Sequence, residues 1–290
     1  MKSYSVVVLY YQFGEAFRNT LTNLLNQSAP PTEVVVIDNA SGDGVISGLV
    51  DTFPNVHFVE LTVNLGYAGG MNQGLSELQA DHDWVLFLTH EVELDTECLE
   101  KLLDASESQQ GHRVSVLGPS LSLARDGTIW SLGGEFTRAG GTTHRTDLDW
   151  SAPVRSATWL DGSCLLVNAE IMAARGHFAE SFFLYWEDVE LSTRLSSAGL
   201  VLCVLGAHAY QSTSMTPTYF TARNRILYWR MRRDPLKLLF SVFAVLAKCA
   251  LRDVPQLRSD GPARLIARLQ GLQHGFSGQL NLSHAKVLER

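Results

Sequence analysis

Residues 34–72 read VVVIDNASGDGVISGLVDTFPNVHFVELTVNLGYAGGMN. Val34-Val35-Val36-Ile37 is β-branched and apolar at successive positions, the pattern of a central strand buried on both faces. A polar, glycine-rich turn follows, then a second strand predicted over Val56–Leu61, then a loop that ends in the pair Gly69-Gly70. Asp38 and Asn39 fall at the carboxyl end of the first of these strands, and ligands of open α/β sheets bind at that edge. Gly66, Gly69 and Gly70 supply a backbone that can approach a ligand closely.

Outward from this stretch the same alternation continues. Ser5–Tyr11 reads as a strand, and Phe17, Leu21, Leu24 and Leu25 recur at helical spacing before Pro30-Pro31. Val45–Phe53 and Gly70–Gln79 read as helices and Trp84–Leu88 as another buried strand. The order β-α-β-α-β-α-β implies a parallel sheet with right-handed crossovers, an α/β fold of Rossmann-like type flanked by helices. A helix over Glu97–Ser106 and a strand near Val114–Gly118 follow the acidic run Glu91–Glu97. Leu121–Trp150 suggests hairpins or a mobile loop, Asp161-Gly162-Ser163 leads into an apolar strand, and Phe182–Gly199 is an aromatic loop entering a helix. Val201–Leu205 is a further strand. After Pro217 the chain turns basic and aromatic, then almost wholly apolar over Leu236–Leu251. The expected division is therefore a domain at 1–217, with halves at about 1–118 and 119–217, and a helical extension at 218–290.

Composition narrows the function. A net charge of −7 argues against nucleic acid as a partner, because that needs a basic footprint. Cys98, Cys164, Cys203 and Cys249 are far apart with no C-x-x-C, which reads as reduced core thiols in a cytoplasmic protein. The run Val6–Leu9 is too short for a signal peptide.

Several carboxylates invite two readings each. Asp38 suits a turn, and equally a contact to a nucleotide base or ribose. Glu91 and Glu93, just past a buried strand, suit a first helical turn, or a Mg²⁺ or Mn²⁺ that holds a diphosphate. Glu187-Asp188 follows Phe182, Phe183, Tyr185 and Trp186, so it is a helix-start acid pair or a general base beside an aromatic wall. The Gly66–Gly70 loop is neither G-x-G-x-x-G nor a P-loop, which disfavours dinucleotide and ATP binding.

Taken together the motifs resemble family 2 glycosyltransferases of GT-A fold, with the rhamnosyltransferase-like branch most similar. SVVVLYYQ looks like the family's opening strand, with Tyr11 at its tyrosine position. VVVIDNASGDG looks like the nucleotide-binding turn, and NLGYAGGMNQG, with Asn64, Gly66, Gly69 and Gly70, like the branch's donor loop. DGSCLLV resembles the strand near the acceptor, FFLYWEDVELSTRLSSAG the segment bearing the catalytic Asp, and YFTARNRILYWR the segment after it. The resemblance spans roughly Ser3 to Arg233.

What the resemblance implies is an inverting transfer of a sugar from a nucleotide-diphospho sugar, dTDP-rhamnose-like or a UDP-sugar, to an acceptor hydroxyl. Tyr11 and Asp38 would hold the nucleotide and Asp188 would be the base. Glu187 and Asp161 would orient the acceptor beside Trp159 and Trp186. The family's metal-facing Asp falls on Glu91, and its later His position on Gln211 with His208 close by. A divalent cation at Glu91 and His208 is one expectation; phosphates held by Arg223, Arg225 or the Gly66–Gly70 amides are the other. The acceptor would be a carbohydrate, a lipid-linked saccharide or a small molecule. Rival readings are a nucleotidyltransferase, disfavoured by the uncharged Gln12-Phe13-Gly14, and a non-catalytic GT-A scaffold. The apolar Leu236–Leu251 segment is shorter than the ~20 residues that span a bilayer. Its alternatives are a peripheral membrane contact, a helix packed on the core, and a homodimer through the C-terminal helices.

Overall fold

The apolar runs of the first ninety residues become one half of a ten-stranded sheet in the computed structural model, which describes residues 2–109, 111–147, 152–212, 217–256 and 260–283. Strand β1 (Tyr4–Tyr10) is buried at every position. It is followed by α1 (Phe17–Leu25), β2 (Glu33–Asp38), α2 (Val45–Leu49), β3 (Val56–Glu60), α3 (Gly66–Glu77) and β4 (Trp84–Thr89). The four strands pair in parallel as β4-β1-β2-β3, with Val8 level with both Val36 and Leu88. Their buried side chains, Val6, Val8, Val34, Val36, Leu86 and Leu88 among them, form one core with Phe17, Leu21 and Leu24 of α1.

The second half of the sheet is mixed. The chain continues through β5 (Val92–Leu94), α4 (Cys98–Ser108), β6 (Val114–Leu123), β7 (Ile129–Ser131), β8 (Gly134–Phe136) and β9 (Thr142–His144), which pair as a separate two-stranded sheet, β10 (Val154–Ser156) and β11 (Cys164–Asn168). Then come α5 (Ala169–Arg175), α6 (Glu187–Leu195) and β12 (Leu200–Gln211). Strand β11 runs antiparallel between β4 and β6, while β12 lies parallel to β6. The order is β10-β12-β6-β11-β4-β1-β2-β3, with β5 on β12 and β7 on β6. Residues 148–150, within the segment expected as hairpins, lie outside the described residues.

Two elements depart from the sequence expectation. Helix α3 starts at Gly66, so the glycine pair expected in a loop lies inside its first turns. A Cβ on Gly70 would sit 2.4 Å from Leu9 Cδ1 and one on Gly74 2.2 Å from Val7 Cγ1, so bare backbone is what lets α3 press onto β1. The acidic run after β4 contains a strand: Val92 and Leu94 are buried, Glu93 points outward, and Val92 is level with Gln211.

The chain divides into two compact units. Met1–Glu135, His144–Phe183 and Glu187–Ser214 form the first, which contains the large sheet. The second comprises Phe136–Thr143, Leu184–Trp186 and Met215–Arg290, and contains α7 (Thr218–Met231), α8 (Pro235–Lys248) and α9 (Gly261–Ser277). Within it α7 is almost fully buried, and Gly271 and Gly275 bring the α9 backbone against it: a Cβ at either would lie 2.6 Å from a carbonyl oxygen of α7. Arg268 and Asp253 form a buried ion pair at 2.7 Å, and Trp229 Nε1 donates to Gly140 O at 2.6 Å. Residues 284–290 of the expected extension lie outside the described residues.

Candidate functional site

The carboxyl ends of β1, β2 and β4 carry the polar residues singled out above. Asp38 is the last residue of β2 and is buried; its Oδ1 accepts the Ser41 amide at 2.8 Å and closes the turn. Asn39 ties that turn to the chain before α3. Its Nδ2 donates to Asn64 Oδ1 and to Gly66 O, both at 3.0 Å, and its Oδ1 accepts the Leu65 amide at 2.8 Å. Sequence reasoning passed over Asn39 in favour of its neighbour. Tyr11 is half-buried just beyond β1, and Tyr10 donates its hydroxyl to Asp43 Oδ2 at 2.5 Å.

A second cluster forms where α6 meets the segment before β11. Asp161 Oδ1 accepts the Ser163 amide at 3.0 Å, and its Oδ2 accepts Trp130 Nε1 at 2.9 Å. Gly162 donates its amide to Asp188 Oδ2 at 3.0 Å, and its carbonyl accepts the Tyr67 hydroxyl at 2.5 Å. Asp188 Oδ1 accepts the Val189 amide at 2.7 Å. The Asp161-Gly162-Ser163 segment, Asp188 and Tyr67 of α3 thus share one hydrogen-bond network, and Glu187 is coupled to it through charge. Trp130 and His144, whose Nε2 lies 3.8 Å from Asp161 Oδ2, were not singled out; they come from hairpin segments that show no periodicity.

Burial and neighbouring negative charge disfavour the ionised forms of Glu187 and Asp188. Burial, and then the charge of Asp161, push Asp188 up to about 7. Burial and then Asp188 push Glu187 well above the usual carboxylate range, and Tyr67 is raised by burial and by the same acids. Asp188 as a residue is nonetheless only part-buried.

Several buried polar atoms collect at this sheet edge. Thr89 Oγ1, Ser163 Oγ and Glu187 Oε2 have no hydrogen-bond partner among the described residues, although Thr89 and Ser163 are joined through their backbones at 3.0 Å. Buried polar groups are ordinarily paired, so unpaired ones on adjoining segments mark a place where a polar ligand belongs.

Other residues lie elsewhere than expected. Arg223, foreseen at donor phosphates, is buried in the second unit, where Nε donates to Gln279 O at 2.7 Å and Nη1 to Asn224 Oδ1 at 2.6 Å. Arg225 donates to Ser241 Oγ at 3.0 Å and to Ala139 O, and burial lowers it to about 10. Loop carbonyls and neighbouring polar side chains have claimed both guanidinium groups. The amides at the start of α3 are also engaged: Tyr67 donates to Phe183 O at 2.7 Å and Gly66 to Asn64 Oδ1 at 2.8 Å. Gly66 has φ +72°, and a Cβ there would strike Phe183 O at 2.3 Å. Gly69 and Gly70 are buried inside α3. Trp159 and Trp186, foreseen as sugar platforms, are packing residues. Trp159 is buried against bare Gly134, and Trp186 is buried in the second unit beside Phe136 and Tyr228. The loop leading to Glu187 is strained, with Phe183, Tyr185 and Trp186 at φ +63°, +67° and +74°.

Fitness for a cation rests on His90 and Glu91. His90 Nδ1 lies 3.2 Å from Leu9 O, and since a carbonyl only accepts, Nδ1 carries the hydrogen. Nε2 then faces Glu91 Oε2 at 3.0 Å. A ring locked by a backbone carbonyl behind it and set beside a carboxylate is how metal-ligating histidines are held. Two such donors suit Mg²⁺ or Mn²⁺, which take few protein ligands and complete their shell with phosphate and water. No group of three or more His, Cys, Asp or Glu is placed to hold a metal ion among the described residues. His208 sits in β12 level with Ser120, and the partner the structure gives Glu91 is His90.

Comparisons with known proteins bear on the family and the fold. The family model described as glycosyl transferase family 2 matches residues 5–138. The N-acetylglucosaminyl-diphospho-decaprenol L-rhamnosyltransferase of Mycobacterium tuberculosis is 31% identical over 218 residues, 67% of this chain and 70% of that protein. The fold is similar to that of GalNAc-T7, solved with UDP, GalNAc and Mn²⁺, at a TM-score of 0.69 and 12% identity; the match covers 93% of this chain and 55% of that one, so the chain spans about half its length. It is also similar to the mannosyltransferase PcManGT of Pyrobaculum calidifontis, solved with GDP-Man and Mn²⁺, at a TM-score of 0.58 and 16% identity, covering 100% of this chain and 79% of that one.

Proposed function

The chain belongs to glycosyl transferase family 2, and from that premise we propose that it moves a sugar from a nucleotide-diphospho sugar to an acceptor hydroxyl with inversion at the anomeric carbon. The observation that carries this reading is Asp188. It is a carboxylate held between two backbone amides, raised to about 7 and, as a residue, only part-buried, which suits a general base at neutral pH. Asp188 takes the proton of the acceptor hydroxyl as that oxygen attacks. Glu187, held neutral by burial, offers its own proton to orient the acceptor, and Asp161 sustains the high affinity of Asp188 for a proton. Tyr11 and Asp38 hold the nucleotide at the ends of β1 and β2. Asn64 and Asn39 keep the turn before α3 in place behind it.

Glu91, with His90 beside it, would hold a divalent cation. When bound, such an ion neutralises the charge that builds on the leaving diphosphate. The relative's name supports an L-rhamnosyl donor and a lipid-linked saccharide acceptor, hence a place in cell-surface polysaccharide synthesis on the cytoplasmic side. The intact Asp161–Asp188 network leaves the non-catalytic scaffold without support.

The test is calorimetry of UDP, dTDP and GDP with Mn²⁺, Mg²⁺ or EDTA, alongside a transfer assay. One nucleotide binds in the presence of metal and at least about tenfold more weakly in EDTA, and Glu91→Ala and His90→Ala remove that difference. Asp188→Asn retains nucleotide binding and loses transfer by about 10³-fold. Unchanged turnover in Asp188→Asn removes it as the base, and binding of no nucleotide rejects the transferase reading.

A further inference from the structure

Helix α8 presents an exposed stripe with no polar residue on it. Leu236, Leu239, Phe240, Phe243 and Leu246 follow one another at helical spacing, and are 66%, 50%, 50%, 60% and 42% exposed. Leu251, 77% exposed, continues the stripe beyond the helix. The opposite face is the packed one, with Ser241 and Val245 buried. A monomer rarely leaves so continuous an apolar face in water unless something covers it.

Charge indicates what covers it. Residues 215–290 hold thirteen Lys and Arg against four Asp and Glu, a net +9, while residues 1–214 are at −16. Arg232 and Arg233 precede the stripe and Arg252 follows it, all exposed. An apolar face rimmed by arginines in a strongly basic segment of an acidic protein matches an anionic lipid surface. A second copy matches less well: a two-fold contact would set the same arginines and the same +9 segment against themselves. Depth fits also. Fourteen helical residues span about 21 Å, short of the ~30 Å hydrocarbon core, and no helix among the described residues is long and apolar enough to cross a membrane. A helix of this kind lies in the interface plane.

We infer that the exposed face of α8 docks this protein on an anionic bilayer, with Phe240 and Phe243 entering the acyl boundary and the flanking arginines meeting the headgroups. The inference stands on the second unit alone and is independent of the transfer chemistry.

Flotation of the full chain with vesicles tests it, using phosphatidylcholine alone and phosphatidylcholine with about 30% phosphatidylglycerol. The protein floats with the anionic vesicles, at least about tenfold more weakly with the neutral ones, and 0.5 M salt lowers the first value by roughly as much. The double variant Phe240→Glu/Phe243→Glu loses about tenfold or more while its melting temperature stays unchanged, since both side chains point to solvent. No flotation, equal flotation with neutral vesicles, or a double variant that floats like the parent overturns the inference. So does a dimer in sedimentation that the double variant converts to monomer without any lipid binding; the occupant is then a second copy.

Discussion

Asp188, the proposed base, is held by the groups around it, and its behaviour with pH follows from them. Its value in the folded chain lies near 7, above the ordinary carboxylate value that it has when unfolded. With Asp188 as the proposed base, transfer needs its ionised form, so kcat/KM rises with pH through about 7 and levels off above it, a midpoint belonging to the Glu187–Asp188 pair. Stability runs the other way. The fold favours the protonated form, so this contribution is whole below the unfolded value and is lost as pH climbs through 7. Asp188→Asn therefore melts above the parent at pH 8, and the two converge towards pH 4; a parent that melts higher at pH 8 contradicts this environment. Asn39 makes a different prediction. Its amide joins the Asp38 turn to Asn64, Leu65 and Gly66, and Asn39→Ala leaves those groups short of partners at a cost of about 1–3 kcal/mol in urea unfolding. An alanine variant as stable as the parent would show that the clamp is dispensable.

Among the elements, α3 depends most on having no side chains. Gly74→Ala drives a Cβ into Val7 Cγ1, a β-branched side chain on a central strand that cannot swing away, and destabilises by about 1–3 kcal/mol. Gly48 in α2 meets nothing within 4 Å, so Gly48→Ala is neutral or slightly stabilising in the same measurement. Equal effects at the two positions refute the packing account. The contrast also shows what could be read in advance. Strands β1, β2 and β4 and helix α1 were legible because their signals are local: unbroken β-branched runs and a 3.6-residue repeat. The three residues of β5 were not, since their pairing partner β12 lies over a hundred residues away. Arg223 and Arg225 misled for a related reason: a guanidinium in a sequence does not reveal whether a phosphate or a loop carbonyl will take it. Trp159 and Trp186 misled likewise, because aromaticity suits packing and sugar binding alike. The acids 161, 187 and 188 could be singled out from motif and position, but the Gly162 peptide that ties the Asp161 segment to Asp188 and Tyr67 could not, and neither could His90 behind Glu91.

For the molecule as a whole, the separation of a −16 portion from a +9 portion implies different sensitivities in one assay. Phe240→Glu/Phe243→Glu leaves transfer to a short-chain, water-soluble acceptor unchanged, and slows transfer to an acceptor carried in anionic vesicles about tenfold. Equal loss on both acceptors shows that α8 acts on the transfer site and not on delivery. The four thiols offer a practical means of following this. Cys98, Cys164, Cys203 and Cys249 are all buried and unpaired, and burial pushes Cys98 and Cys203 up to about 12. Thiolate is the reactive form, so maleimide dyes find almost none of it at neutral pH. The natural chain therefore behaves as a cysteine-free background for site-directed labelling. A single Phe243→Cys can carry a polarity-sensitive fluorophore, with no prior mutation of the core.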